Sequence, residues 1–380
     1  MRILDRYVLK NFLVPFCYCF FGFIAIWLIV DLSQNGNDFV EANASPLRVI
    51  YYYLTQVPAV IVICLPVAML LSLLYSLSHM SRGNEIISML TAGQSVIRII
   101  LPLLIVGLGV TAVSTLLSYR LAPHAEAVKR VDFERLKGRH VEKMLIAQLF
   151  RNRADNRTWY VQRMRKQFDS PSNELEGVDI HIEDKDGNVI RKYYAKRAIY
   201  QPASGIWNLE RGKTVHFDTD GNIVSEDLWM EGARSIEHWS ETPWRIASSN
   251  LDPQTLSVPE LRDYLRLNAD FPKVLIAPYR AYLIYRWAMP WWCIIVVFIA
   301  APLGIIYSRG GVLAGVASSI FIFFSAMFVD QLFLAMGKGS RLSPEIAVWT
   351  PRVLFGIIGL FLLWLRSTNR EMPKLRWRKS

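Results

Sequence analysis

Six apolar runs, each close to 20 residues long, restrict the fold of this chain more than any other feature. They cover residues 12–32, 57–77, 96–119, 287–307, 312–336 and 347–365. A bilayer core about 30 Å thick is crossed by about 20 apolar residues in a helix, and only a helix or a closed barrel satisfies its own backbone there. The runs therefore predict an α-helical membrane protein with three transmembrane helices before and three after a polar middle region.

Lysines and arginines are unevenly distributed between the two sides of the predicted membrane region. Twelve of them flank one set of span ends, whereas the short loops of the other set contain only three, Arg48, Lys338 and Arg341. Because basic flanks are retained in the cytoplasm, this bias predicts a multi-pass protein with both termini cytoplasmic. The net charge of +11 and the basic tail then indicate contact with an anionic membrane surface. No nucleic acid is expected as a partner, because no nucleic-acid-binding module accompanies the charge.

The polar middle region has the pattern of a β domain. Residues 178–183 alternate apolar and polar side chains, and residues 189–200 resume as a strand after a turn at Asp186, Gly187 and Asn188. The same arrangement returns around residues 214–230. Strands at this spacing with glycine turns favour a small sandwich or jelly roll. We expect three domains: residues 1–121 with spans one to three, residues 122–278 with the β domain and helical connectors, and residues 279–380 with spans four to six.

The loop between spans two and three, residues 80–94, predicts a short helix over about 81–93. Ile86, Met89 and Leu90 fall on one helical face, Glu85 lies in the first turn, and Gly93 is placed to cap the C-terminus. Two interpretations remain open from the residues alone. The helix lies on the lipid interface, or it docks into a groove of a cytoplasmic partner.

Several other classes of function lack the residues that they need. The four cysteines lie within apolar runs, away from the histidines, and no motif for nucleotide hydrolysis is present. An enzyme acting on lipid would need clustered acids and histidines at one membrane depth, and a periplasmic sensor would need a cytoplasmic output domain. An exporter permease without its own nucleotide-binding site fits best, with a lipoprotein-release or other lipid or peptide exporter, and a membrane-anchored sensor, as alternatives.

The chain resembles the LptF/LptG permease family of the lipopolysaccharide exporter over nearly its whole length. The resemblance rests on residues 4–7 (LDRY), 84–93, 301–304 with 309–311, 339–344 and 347–351. It implies six transmembrane helices plus a periplasmic β-jelly-roll in the bacterial inner membrane. Residues 4–7, Asp31 and Asp330 resemble the LptG-like subunit more closely.

The resemblance also implies a function and its partners. The chain would extract lipopolysaccharide from the inner membrane and pass it towards the outer membrane. It would work with a paralogous LptF-like permease subunit, a cytoplasmic LptB-like ATPase dimer and a periplasmic LptC/LptA-like bridge. ATP and Mg would be bound by the partner ATPase, so that no cofactor and no catalytic or metal site is expected in this chain.

The resemblance further assigns candidate site residues. The helix that couples to the ATPase would use Arg82, Glu85, Ile86, Met89, Leu90 and Gly93, with Glu85 contacting an ATPase arginine. Lysines of the family near the outer end of span one, suited to lipid A phosphates, have no equivalent in residues 31–38. Arg48, Arg120, Arg280 or Arg286 would supply that charge instead, or the partner subunit would. Candidates for the substrate cavity or its lateral gate between spans one and five therefore are Asp31, Arg48, Arg120, Arg280, Arg286 and Asp330.

Overall fold

The computed structural model describes residues 3–41, 43–125, 128–129, 144–167, 170–248, 251–305 and 312–368. The chain divides into two compact units. One consists of Met1–Lys137, Gln254–Leu261 and Ala277–Ser380, and the other of Gly138–Pro253 and Arg262–Ile276. The first unit contains the long helices and the second contains the sheet. The turn at 309–311 and the basic tail, both named above, lie outside the described residues.

The helices in the described ranges are named here in chain order. They are α1 (Ile3–Glu41), α2 (Pro46–Arg82), α3 (Glu85–Thr91), α4 (Val96–Leu116, continued by a π-helical turn at Leu117–Leu121), α5 (Pro243–Ser248), α6 (Val258–Leu267), α7 (Lys273–Ala288), α8 (Trp292–Gly304), α9 (Val312–Lys338) and α10 (Pro344–Ser367). A 3-10 turn at Met289–Trp291 joins α7 to α8.

Six helical segments are long and apolar enough to cross a membrane, which confirms the six predicted spans. The first two helices continue well beyond the apolar runs, with 39 residues in α1 and 37 in α2. At 1.5 Å per residue each is more than 50 Å long, so both exceed a hydrocarbon core of about 30 Å. The sequence runs located the lipid-compatible part of each helix but not its ends, because a helix continues in water wherever its residues permit.

The helix α8 forms the centre of the bundle. It packs against α2, α4, α9 and α10, and nearly all of its side chains are buried. Glycines allow this close packing: a Cβ at Gly107 of α4 would lie 2.9 Å from Val297 Cγ2, and one at Gly304 would lie 2.9 Å from Leu77 Cβ. Small residues at helix contacts are the usual means of association inside a membrane, where burial of apolar surface gives little driving force.

The second unit contains a six-stranded antiparallel sheet in the order β1 to β6. The strands are β1 (Met144–Asn152), β2 (Arg157–Gln167), β3 (Ser170–Glu183), β4 (Val189–Gln201), β5 (Ile206–Phe217) and β6 (Ile223–Ile236). Each strand pairs with its neighbour along the chain, which is a meander. A jelly roll has Greek-key connections between two sheets, so this strand order does not confirm the jelly-roll connectivity that the sequence led us to expect.

One face of the sheet carries the core of the second unit. Trp159 and Trp207 are fully buried with ring centroids 4.9 Å apart. The indole nitrogen of Trp207 donates to the backbone oxygen of Glu241 at 2.8 Å. Tyr160, the neighbour of Trp159, is 44% exposed, as the alternation of side chains along a strand requires. The buried pair Trp159 and Trp207 therefore serves packing.

Two hairpin turns of the sheet are built in the same way. Gly187 has a φ of +90°, as predicted for the turn between β3 and β4. Asp184 Oδ1 accepts from the backbone N–H groups of Asp186 and Asn188, both at 2.9 Å. The turn between β5 and β6 repeats this geometry: Asp218 Oδ1 accepts from Asn222 N–H at 2.8 Å. Hydrogen bonds from these N–H groups lower the pKa of both aspartates below the ordinary value. The largest contribution comes from the N–H of Asn188 for Asp184 and from the N–H of Asn222 for Asp218.

Acidification below about pH 4 is expected to loosen both turns. Because the folded-state pKa of each aspartate lies below its unfolded value, its contribution to stability is present above the unfolded pKa and is lost as the pH falls through the folded pKa. Hydrogen exchange of the Asn222 amide, corrected for its intrinsic rate, measures this. Protection should fall with acidification in the unmodified chain and be low at every pH in Asp218→Ala. Asp220→Ala is the matched control, and equal protection at about pH 6 and pH 3 in the unmodified chain would contradict the prediction.

Candidate functional site

The short helix α3 covers Glu85–Thr91 and is shorter than the predicted helix over about 81–93, because α2 continues to Arg82. Glu85 lies in its first turn, where the helix dipole favours a carboxylate. The helix ends in a Schellman motif: the N–H of Gln94 donates to Met89 O at 3.1 Å, and that of Gly93 donates to Leu90 O at 3.0 Å. Gly93 has a φ of +83°, which confirms its predicted role as the C-terminal cap.

The apolar face of α3 points towards the chain's own bundle. Ile86 is 1% exposed and belongs to the core cluster formed by residues of α1, α2, α4 and α8, and Met89 and Leu90 pack against the same cluster while remaining partly exposed. This corrects the expectation that Ile86 would supply docking energy to a partner. A residue buried at this position anchors α3, so that docking is left to the exposed side of the helix.

The N-terminal motif at residues 4–7 lies against α3 and α4. The Tyr7 hydroxyl donates to Glu85 Oε2 at 2.9 Å. The carboxylate of Asp5 lies 3.0 Å from Nη2 of Arg98, in the first turn of α4. The beginning of α1 is thus joined by polar contacts to α3 and to the beginning of α4.

A groove of about 580 Å³ opens beside these contacts. Its lining includes Leu4, Tyr7, Glu85, Met89 and Arg98. The Glu85 carboxylate therefore lies where a cationic side chain of another protein has access to it. Arg82, the other charged residue predicted for this helix, is exposed at the last turn of α2.

At the opposite end of the bundle, Asp330 of α9 forms a buried ion pair with Arg352 of α10. Asp330 Oδ1 lies 2.6 Å from Arg352 Nη1 and Oδ2 lies 3.2 Å from Nη2, with both side chains 2% exposed. Trp292 Nε1 donates to Asp330 Oδ2 at 3.4 Å, and Arg352 Nε donates to Ala288 O at 3.0 Å. The Arg352 guanidinium also lies 5.2 Å from the ring centroid of Tyr285. These contacts join α9, α10 and the α7–α8 junction.

Asp31 of α1 also has a basic partner from a distant part of the sequence. It is 6% exposed, and its Oδ1 lies 3.2 Å from Lys129 Nζ. The stretch 31–38 lacks a basic residue, and the structure brings Lys129 to its first residue. Tyr53 and Trp27 lie beside this pair in an edge-to-face contact with centroids 6.0 Å apart.

The four arginines proposed for phosphate binding differ in their contacts. Arg280 pairs with Glu345 at 2.6 Å, and Arg286 donates to the backbone oxygen of Gln254. Arg48 and Arg120 are exposed, in the first turn of α2 and in the π-helical turn. Among the described residues, no group of three histidine, cysteine, aspartate or glutamate side chains is placed to hold a metal ion.

Tyr7, Lys129 and Arg352 are site residues that the sequence did not identify. Arg352 gave the strongest signal, a single arginine within the apolar sixth span, because a charge in such a position needs a partner. The contacts of Tyr7 and Lys129 could not be predicted from local sequence, since their partners lie 78 and 98 residues away.

Comparison with known proteins identifies the family. No curated protein gave a significant match to the chain. The family model described as lipopolysaccharide export system permease LptF/LptG matches residues 6–365, a range that includes α3 and the ion pairs Asp31–Lys129 and Asp330–Arg352. The chain therefore belongs to the LptF/LptG family, and it is a multi-pass membrane subunit of a lipopolysaccharide export permease.

Proposed function

We propose that this chain is the LptG-like subunit of the exporter and that it extracts lipopolysaccharide from the outer leaflet of the inner membrane. Residues 4–7, Asp31 and Asp330, the features that resemble LptG-like chains, support the choice of subunit. Of these, Asp5, Tyr7, Asp31 and Asp330 make polar contacts within the bundle. A lipoprotein-release permease and a sensor are less favoured, because the matching family is described as an exporter of lipopolysaccharide.

In this proposal both termini and α3 face the cytoplasm, and the six-stranded sheet faces the periplasm. The excess of lysine and arginine at the α3 end of the spans supports this orientation. It also places the groove beside Glu85 on the side of the membrane where a cytoplasmic LptB-like ATPase dimer would be found.

The observation that carries the proposed coupling role is the position of Glu85. The carboxylate lies in the first turn of a short capped helix, at the edge of an open groove. We expect an arginine of the ATPase to pair with it there. Such a rim ion pair contributes about 1 kcal/mol on its own, and the partly exposed Met89 and Leu90 would add apolar contact.

Spans one and five would line the lateral gate towards an LptF-like subunit. In the most apolar stretch of α1, no residue is buried. The corresponding stretch of α9 has 28% of its residues buried, compared with 78% in the fourth span. Both helices present large side chains outwards, including Phe21 of α1 and Phe321 and Phe328 of α9. These surfaces suit lipid chains or a neighbouring helix.

Delivery to an LptC/LptA-like bridge would use β6. In the part of the chain that the structure describes, this strand pairs only with β5, and almost all of its side chains are exposed. Val224, Leu228 and Met230 are each more than 60% exposed. An edge strand of this kind can accept a strand of a β-rich partner.

The experiment is purification of the chain with its co-expressed ATPase, followed by mass spectrometry of bound lipid and measurement of ATP hydrolysis with and without lipopolysaccharide. We expect the ATPase and lipopolysaccharide to copurify. Glu85→Ala should reduce lipopolysaccharide-stimulated hydrolysis about fivefold or more, as loss of about 1 kcal/mol or somewhat more implies. Glu237→Ala, which removes an exposed carboxylate from the second unit, is the matched control.

Two results would contradict the proposal. Copurification of a different lipid or of lipoprotein would overturn the assignment of lipopolysaccharide as the transported molecule. Unchanged stimulation in Glu85→Ala, in a complex that retains the ATPase, would overturn the coupling role of this residue.

A further inference from the structure

We propose that Tyr7 and Asp5 connect α3 directly to the first span, so that displacement of α3 by a bound ATPase moves α1 as well as α2 and α4. Tyr7 is in this view a positioning residue that acts through Glu85. The inference rests on the proposed function, since it assumes that α3 receives the force. It adds a connection that the covalent chain does not provide, because α3 is joined in sequence only to α2 and α4.

The first observation is the hydrogen bond between the Tyr7 hydroxyl and Glu85 Oε2, at 2.9 Å. The carboxylate proposed to meet the ATPase is thereby held by a side chain of α1. Of the residues lining the groove beside Glu85, Leu4 and Tyr7 belong to α1. Anything bound in that groove therefore contacts the first span and α3 at the same time.

The second observation is the ion pair between Asp5, two residues before Tyr7, and Arg98. The Asp5 side chain is 11% exposed and that of Arg98 is 28% exposed. Solvent screens such a pair less than a fully exposed one. It fixes the beginning of α1 to the first turn of α4, on the C-terminal side of α3.

The third observation is the packing beneath these polar contacts. Val8 and Phe12 of α1 are buried in the same core cluster as Ile86 of α3. The N-terminal parts of α1 and α3 therefore pack against the same apolar side chains. Between Phe12 and Asp31 no side chain of α1 is fully buried, and Phe16 and Phe20 pack against the same cluster while partly exposed. A helix fixed at its start and only partly covered along its middle can transmit a tilt applied at the fixed end to the rest of the span.

The test uses the complete complex of the chain with its ATPase and the LptF-like subunit, in lipid nanodiscs containing lipopolysaccharide. Tyr7→Phe removes the hydroxyl and keeps the ring. We expect the number of lipopolysaccharide molecules released per ATP hydrolysed to fall about three- to tenfold, as for the loss of one partly exposed hydrogen bond to a carboxylate. Tyr18→Phe, an exposed tyrosine of the same helix, is the matched control and should leave this ratio unchanged.

Charge exchange at the Asp5–Arg98 ion pair provides an independent test. Asp5→Arg and Arg98→Asp, made singly, should each lower the same ratio, and the double exchange should restore most of it. Recovery in the double variant is expected because the pair is reformed with opposite polarity.

The outcomes separate this inference from the proposed function. If the unmodified complex lacks the ATPase or releases no lipopolysaccharide, the proposed function fails. If it does both while Tyr7→Phe keeps the unmodified ratio of lipid to ATP, or lowers lipid release and ATP hydrolysis in proportion, the connection through Tyr7 is wrong and the proposed function stands.

Discussion

Replacing Asp330 by alanine is expected to destabilise the helical bundle by about 3–5 kcal/mol, the usual cost of leaving one member of a buried ion pair without its partner. Arg352 would keep its charge within the sixth span while losing both of its contacts to Asp330, at 2.6 and 3.2 Å. Its remaining contacts to backbone oxygens, including Ala288 O, neutralise no charge. Arg352→Ala should destabilise the bundle by a similar amount, because it leaves the buried Asp330 carboxylate without its partner.

The double variant Asp330→Leu with Arg352→Leu is the control that makes this prediction specific. Replacing both members of a buried pair by apolar residues of similar volume is often neutral or stabilising. The free energy of unfolding, measured by denaturant titration of the purified complex in detergent, should therefore recover in the double variant. Loss of less than about 1 kcal/mol in Asp330→Ala, or a double variant no better than the single ones, would contradict the prediction.

The same variants decide between a structural and a substrate role for Asp330. The carboxylate is 2% exposed, and both of its oxygens contact Arg352, an arrangement that leaves little of it for a lipid headgroup. We therefore expect the double variant to release lipopolysaccharide at close to the unmodified rate. A stable double variant that releases none would instead assign Asp330 or Arg352 to the transport step.

The features that depend on local sequence were predictable. A bilayer demands about 20 apolar residues per helix, so the six runs identified the six spans. Turn chemistry identified the hairpins at Gly187 and Gly221, since each adopts a positive φ. Glu85 was placed correctly in the first turn of α3 and Gly93 just beyond its last turn, because a first-turn acid and a capping glycine act on the backbone beside them.

The features that depend on how helices rotate about their axes were not predictable. The spans are apolar on almost every side, so no stripe indicates which face of a span meets its neighbour. The contacts of Tyr7 with Glu85, of Asp31 with Lys129 and of Asp330 with Arg352 each follow from such a rotation. For the same reason Ile86 was expected to face a partner, although it faces the bundle. Alternation and turn residues marked the strands and hairpins of the sheet but not how the hairpins join, and they join in a meander.

Substituting Gly359 by leucine is expected to separate α10 from α8 and to destabilise the bundle by about 3 kcal/mol or more, at the upper end of the cost of overpacking a filled core. A Cβ at this position would lie 2.8 Å from Phe298 Cβ and 3.1 Å from the backbone carbonyl carbon of Phe298. Rotation of a flexible side chain cannot relieve such a contact, because the second obstacle is backbone. Gly356→Leu is the matched control on the same helix, since a Cβ there has nothing within 4 Å, and a better helix former at an open position should be neutral or stabilising. Denaturant titration of both variants measures the difference, and equal stability would show that α8 and α10 do not pack through Gly359.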